Sequence, residues 1–347
     1  MNEAQLSTSV QENPLTPDAI IALGTAFCGS KALLSAVELG VFSELAAAGA
    51  LDGETLRKRL DLHPRGARDY FDALVALGML ERHNGQYTNT PATGLFLDRS
   101  KQSYMGDVLE MANSHLYGAW GLLTEGLRSG LPQNEVNSGK NLFEVLYTNP
   151  VTTAQFARTM TAISINTARA IAAKFPWHDH HRVIDIGCAE GALPVQIALA
   201  HEHITGGGLD LPKIEPIFTE YVERFGLSER LHFTVGDFFT DPYPPADVLV
   251  MGHILHDWDL DQKRLLLRKA YEALSEGGAL IVYDPIIDDE RRRNAFDLLM
   301  SLTLLLSTSG GFEYTSSDCR DWMEEAGFRE SYVEHLDGPH SFIVGLK

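Results

Sequence analysis

A chain of 347 residues exceeds what one ordinary core needs, and 44% hydrophobic with 22% charged residues is the balance of a globular protein, not a disordered one. A formal net charge of −19 opposes polyphosphate, so binding that relies on Lys and Arg displacing counterions starts at a disadvantage. Cys28, Cys188 and Cys319 stand far apart with no CxxC spacing, which supports neither a disulfide framework nor a thiolate metal site.

The stretch MNEAQLSTSVQENPLTPDA lacks a basic region followed by an apolar one. Residues 1–15 are therefore expected to form a polar arm, and the chain is expected in the cytoplasm. No run approaches the roughly 20 apolar residues that cross a bilayer, so no membrane partner is expected. From residue 16 the pattern is helical, with Thr16 offering an N-cap, Pro17 at the first helical position and Asp18 in the first turn. LDGETLRKRLDL, HPRGARDYFDALVALGML and ERHNGQYTNTPA then predict two short amphipathic helices and a hairpin turning at Asn84-Gly85. That is the outline of a winged helix within residues 16–100. Arg57, Lys58, Arg59, Arg65 and Arg68 offer a basic face to DNA, but acidic neighbours favour a solvated face on a packing domain.

Residues 101–176 continue as helices, in YMGDVLEMANSHLYGAWGLLTEGLRSG and NPVTTAQFARTMTAISINTARAIAAKF, separated by the polar loop LPQNEVNSGKN. At Phe175-Pro176-Trp177 the pattern changes. Residues 177–347 alternate short apolar strands (RVIDIGC, ITGGGLDL, LHFTVGDFF, ADVLVMGHI, GALIVYDP) with helices, the signature of an α/β, Rossmann-like doubly wound sheet. FRESYVEHL and HSFIVGLK, split by Asp337-Gly338-Pro339, predict a closing antiparallel hairpin.

Such sheets bind ligands beyond the carboxyl ends of their strands. The first strand ends in Asp185-Ile186-Gly187, and Gly187 and Gly191 permit a tight turn; a complete GxGxxG is missing, so a pyrophosphate cradle is poorly supported. The second ends in Asp210, which can accept hydrogen bonds from a ribose or cap the next helix. The third ends in Asp237 and Phe238, which can recognise an adenine or simply leave the sheet into the core. MGHILHDWD leaves His256 open as a base, a metal ligand or a structural histidine. On the strand expected there, His253 and His256 point to opposite faces, which argues against a shared metal, and none is expected. Asp257 is expected to cap the following helix.

In this order DIGCAEG, GLDLP, GDFF, HILHDWD and GGFEYT closely resemble the S-adenosylmethionine-dependent O-methyltransferases of the hydroxyindole and caffeic-acid type. The resemblance covers nearly the whole chain. It implies a class I methyltransferase fold behind an N-terminal winged-helix-like dimerisation domain, a homodimer, S-adenosyl-L-methionine as cofactor with S-adenosyl-L-homocysteine as product, and a phenol or polyketide-like acceptor. By it His256 is the general base, with Asp284 and Glu313 as supporting acids. Asp185 and the Gly187 turn face the methionine end of the cofactor, Asp210 holds the ribose, and Leu211, Asp237 and Phe238 meet the adenine. Met160, Ser164, Gly252 and Trp258 complete the cofactor side. Leu304 and Thr308 line the acceptor pocket, to which Met111, Trp120, Asp257 and Met300 are added. Three departures stand out: GCA replaces the usual GGG, Gly252 replaces a lysine common in plant members, and Asp284 replaces a longer Glu. Two other activities stay open: methylation of sulfur in a small thioether acid such as methylthiohydroxybutyrate, and a cofactor-sensing regulator that binds DNA through the winged helix.

Overall fold

The computed structural model describes residues 15–101, 103–134, 147, 149–336 and 341–347. The polar arm, most of the LPQNEVNSGKN loop and the Asp337-Gly338-Pro339 turn lie outside the described residues. The chain divides into two compact units, residues 1–103 and 104–347.

In the first unit, helix α1 (Asp18–Glu38) runs unbroken through Gly24 and Gly29 and ends at Gly40, whose φ of 73° only glycine adopts at low cost. Its N-cap is Pro17 and carries no side-chain bond, so the expected Thr16 cap is not formed. Helix α2 (Val41–Ala48) and strand β1 (Leu51–Asp52) follow. Asp52 caps helix α3 (Gly53–Arg59) through the Glu54 and Thr55 N–H groups, and helix α4 (Pro64–Ala76) starts on a proline. Strands β2 (Leu80–His83) and β3 (Gln86–Asn89) close a hairpin in which Asn84 and Gly85 both take left-handed φ, as a two-residue type I′ turn requires. The expected pair of helices and hairpin is therefore present. Buried Leu56, Phe71, Leu74 and Tyr87 fill the space between them.

Helix α1 corrects one expectation. It is long and apolar enough, by length and composition, to cross a membrane, and only 17% of its most apolar window is buried within the chain. Ile20, Leu23 and Phe27 are more than half exposed.

The second unit is built on a seven-stranded sheet ordered β11-β12-β8-β7-β4-β5-β6. Strands β4 (Arg182–Ile186), β5 (Thr205–Asp210), β6 (Leu231–Val235), β7 (Ala246–Gly252) and β8 (Leu274–Tyr283) run parallel. Strands β9 (Ile286–Ile287) and β10 (Tyr314–Thr315) pair in a separate two-stranded sheet, and strands β11 (Glu330–His335) and β12 (Ser341–Leu346) form the expected antiparallel closure. Period-two alternation splits the apolar residues between two faces. Val183, Val248, Val250 and Ile281 pack with Ile171, Trp177 and Ile197 on one, while Ile184, Leu249, Met251 and Leu280 pack with Leu266 and Met323 on the other. Strand order reverses between β4 and β7, which opens the ligand crevice of a doubly wound sheet at their carboxyl ends.

Candidate functional site

At the end of β4, Gly187 takes a φ of 73°, and a Cβ there would run into the Ile254 side chain. Only glycine lets the turn pass so close to the segment after β7. Asp210, at the end of β5, closes this turn. Its Oδ2 accepts the Ala189 N–H at 3.0 Å and its Oδ1 the Leu211 N–H at 2.7 Å. The next helix (Glu215–Arg224) is capped at Ile214, so Asp210 does not serve as its cap. Burial pushes the Asp210 carboxyl up to about 6 against those two bonds. Asp185 is pushed up as well, by burial and by the charge of Asp210.

At the end of β6, Asp237 Oδ1 accepts the Phe239 N–H at 2.8 Å. Phe238 is half-buried, 5.0 Å from Phe239 and 5.9 Å from Trp258 between ring centroids, and Trp258 stands edge-on to Phe239 at 4.6 Å. Leu211 is half-buried beside the second strand end. Met160 and Ser164 lie on the Pro150–Lys174 helix; Met160 is half-buried, while Ser164 is buried near the Tyr283 hydroxyl. The Tyr283 ring fills the space that a side chain at Gly252 would need. A side chain at position 252 would therefore require Tyr283 to move.

Strand β7 stops at Gly252. His253 takes a left-handed φ of 54°, and Leu255–Asp257 form a 3₁₀ turn. The expected strand placement is thereby overturned: the turn brings the His253 and His256 rings within 5.6 Å of each other instead of to opposite faces. His256 is buried, and its Nδ1 lies 2.8 Å from Oε1 of the buried Glu313. Asp284 meets His256 elsewhere than the sequence suggested. Its Oδ1 accepts the Ile254 N–H, and its Oδ2 accepts the His256 backbone N–H at 3.1 Å and the Tyr314 hydroxyl. The short side chain stops at the backbone, holding the turn, while Glu313 takes the ring. Asp257 does not cap the helix that follows; Asp259 does, in a reciprocal box with Gln262. Asp257 instead turns inward, with Oδ1 3.8 Å from His256 Nε2, and burial pushes its carboxyl up to about 6.

Burial pulls the imidazole pKa down, but Glu313, Asp284 and Asp257 outweigh it and leave His256 above its ordinary value. His253, His256 and Asp284 could bring ligand atoms within 4.8 Å of one another. Asp284 already accepts three donors, while the Nδ1 bond of His256 to Glu313 leaves Nε2 open and suits a base or a ligand alike.

Of the residues expected to line the acceptor pocket, half-buried Met300 and buried Leu304 lie on the Ala295–Ser307 helix, and Thr308 follows it. The Thr308 hydroxyl donates to the Leu304 carbonyl and accepts the Gly311 N–H, which commits it to shaping the chain end. Trp120 donates from Nε1 to Thr303 Oγ1 at 3.2 Å, tying the Tyr117–Trp120 helix to this one. Met111 is half-buried and closes the Gly106–Met111 helix just before a π-turn at Ala112–Leu116.

Several residues of this region were not singled out from the sequence. Tyr283 and Tyr314 are among them. Lys263 left a signal: it occupies the 263, 266, 267, 270 stripe whose other members, Leu266, Leu267 and Ala270, are buried. The Asp259–Gln262 spacing was also legible as a capping box.

Comparison with known proteins places the chain in a family. The model of the O-methyltransferase domain matches residues 120–329, and that of the O-methyltransferase dimerisation domain matches residues 21–99. The tetracenomycin polyketide synthesis 8-O-methyl transferase TcmO of Streptomyces glaucescens is 41% identical over 95% of this chain and 97% of its own length. The N,N-dimethyltransferase OxyT of Streptomyces rimosus is 38% identical over 93% and 95%. The crystal structure of human N-acetylserotonin methyltransferase in complex with SAM superposes with a TM-score of 0.88 at 26% identity, covering 97% of this chain and 99% of that one. The chain belongs to the family of S-adenosylmethionine-dependent O-methyltransferases that carry an N-terminal dimerisation domain.

Proposed function

We propose that this methyltransferase moves a methyl group to a hydroxyl of an aromatic, polyketide-like small molecule, with His256 as general base. The methyl donor is S-adenosyl-L-methionine, which when bound supplies a methyl group activated on a sulfonium sulfur. The residues at the strand ends fit it. Asp210 is a buried carboxylate able to accept from ribose hydroxyls, Asp237 and Phe238 offer an acceptor and a ring face to adenine beside Leu211, and the glycine turn at Gly187 leaves room next to Asp185. Met160, Ser164, Gly252 and Trp258 complete that side.

The observation that carries the reading is the 2.8 Å contact between His256 Nδ1 and Glu313. With Nδ1–H donated to the carboxylate, Nε2 is the nitrogen free to take the acceptor's proton, and Glu313 steadies the imidazolium that results. Asp284 holds the turn beneath. Asp257, Met111, Trp120, Met300, Leu304 and Thr308 are assigned to the acceptor side.

The domain reading follows from the same account. Residues 16–100 dimerise as a winged-helix-like unit, residues 101–176 lead into the acceptor pocket, and residues 177–347 bind the cofactor. The exposed apolar side of α1 falls largely inside the dimerisation match, which supports a homodimer over membrane insertion. The free cysteines suit a reducing cytoplasm. A nitrogen acceptor is the second reading, favoured by the 38% identity to a relative named as an N,N-dimethyltransferase. Incubation with methyl-labelled S-adenosylmethionine and a panel of polycyclic phenols and amines, with mass spectrometry of the products, tests it. Label on a phenolic oxygen is expected; label on nitrogen alone would replace the first reading by the second.

A further inference from the structure

Lys263 is fully buried, and the mechanism above gives it no role. Burying an ammonium is expensive, so a lysine on the apolar stripe of a helix calls for a compensating arrangement. The structure supplies one. Lys263 Nζ donates to the Trp258 carbonyl, lies 3.6 Å from the centroid of the Phe312 ring, and faces Tyr314 at 5.7 Å. Its two main contacts belong to the two segments that form the His256–Glu313 pair. Trp258 ends the turn carrying His256 and Asp257, and Phe312 immediately precedes Glu313. These segments also touch directly. The Phe312 N–H donates to the His256 carbonyl at 2.9 Å, and a Cβ on Gly311 would press on that same carbonyl at 2.7 Å.

The charges around the pair are unequal in number. His256 is faced by Asp257 from its own turn, Asp284 from the end of β8, Glu313 from the segment after the Ala295–Ser307 helix and the His253 ring, while Tyr283 packs on His253 and the Tyr314 hydroxyl donates to Asp284. Lys263 brings a cation to the same acids: its field includes Asp284, Glu313, Asp257 and Asp259, and it acts on the Asp257 carboxyl and the Cys319 thiol.

We propose that Lys263 is a positioning residue for methyl transfer: its buried ammonium bolts the His256 turn to the Glu313 segment and balances the acids around the imidazole. The inference rests on His256 being the base. Lys263 touches neither donor nor acceptor in this account. It acts by holding Nδ1 and Oε1 in register and by opposing excess protonation of the ring, since a neighbouring cation disfavours the imidazolium. Burial draws the Lys263 pKa down to about 8, in keeping with a group held in an apolar setting by geometry.

The test compares wild type, Lys263→Met and Lys263→Arg without bound ligand, using ¹⁵N-histidine NMR to follow the His256 titration and the downfield Nδ1–H proton, with His256→Asn for assignment. S-adenosylhomocysteine affinity and labelled-methyl transfer to the phenol panel are measured alongside. In Lys263→Met the His256 titration should rise by roughly half a unit or more as the opposing cation is lost, and the downfield proton should weaken. Methyl transfer should fall about tenfold, with S-adenosylhomocysteine affinity within about twofold of wild type. Lys263→Arg should restore the titration. An unshifted His256 titration and an intact downfield proton in a folded Lys263→Met protein would overturn the inference. Should that variant fail to fold, Phe312→Leu tests the same clamp: a weakened downfield proton supports it and an unchanged one overturns it. If His256→Asn transfers methyl at the wild-type rate, the base reading fails by itself, whatever Lys263→Met does to the titration.

Discussion

The ring of Tyr283 stands where a side chain on Gly252 would have to go. One aromatic residue at the end of β8 thus decides what the neighbouring strand can carry at the edge of the site. Gly252→Ala is expected to cost about 1–3 kcal/mol of stability by overpacking, and Gly252→Ala combined with Tyr283→Ala should cost less than the sum of the two alone. Denaturant unfolding of the four proteins checks it; strict additivity would mean that the two positions do not compete for space.

Glu313→Gln keeps the size of the side chain but removes the charge that holds Nδ1–H and stabilises the imidazolium. If His256 is the base, it should lower kcat by roughly one to two orders of magnitude while leaving the S-adenosylhomocysteine affinity nearly unchanged, because Glu313 pairs with the His256 ring. Asp284→Asn should instead lower thermal stability together with activity, since Asp284 secures the Ile254 and His256 N–H groups and the Tyr314 hydroxyl. A wild-type kcat for Glu313→Gln would detach the pair from the reaction.

The pH dependence follows from the sign of two shifts. The surrounding acids leave His256 above its ordinary 6.5, and a general base works only when neutral. Turnover should therefore climb with pH along a limb whose midpoint lies above 6.5. Asp210, pushed up to about 6 by burial, must be ionised to accept two hydroxyls. S-adenosylhomocysteine binding should accordingly weaken as pH falls through about 6, and Asp210→Asn should bind weakly with that dependence removed. Calorimetric titration across pH 5 to 8 separates this limb from that of His256.

Leu23 and Phe27 are 80% and 59% exposed on α1, within the span matched by the dimerisation model. Leu23→Asp with Phe27→Asp should turn a dimer into a folded monomer, read by sedimentation and circular dichroism. A monomeric wild type would contradict the homodimer.

Much of this was legible in the sequence because it depends on local chemistry. Asn84-Gly85 dictates a tight hairpin, period-two apolar runs dictate strands, and acids at three strand ends mark the crevice. What escaped depends on where the chain bends. The MGHILHDWD stretch reads as a strand, and only the left-handed backbone at His253 turns it into a short helix that brings the two histidines together. The roles of Asp284 and Glu313 likewise hinge on reach: both acids were recognisable, but which one meets the ring and which the backbone is set by one methylene and the path of a loop. Lys263 shows the reverse. Its position on an apolar stripe was visible, yet helical spacing alone does not reveal what an ammonium meets inside.

The most direct measurement is single-turnover transfer of a labelled methyl group to a phenolic acceptor by wild type and His256→Ala, at matched occupancy by S-adenosylmethionine. With His256 as base, label should appear on the phenolic oxygen and the mutant should be slower by roughly two to four orders of magnitude with its cofactor affinity retained. Label on oxygen at an undiminished rate in His256→Ala would contradict the account.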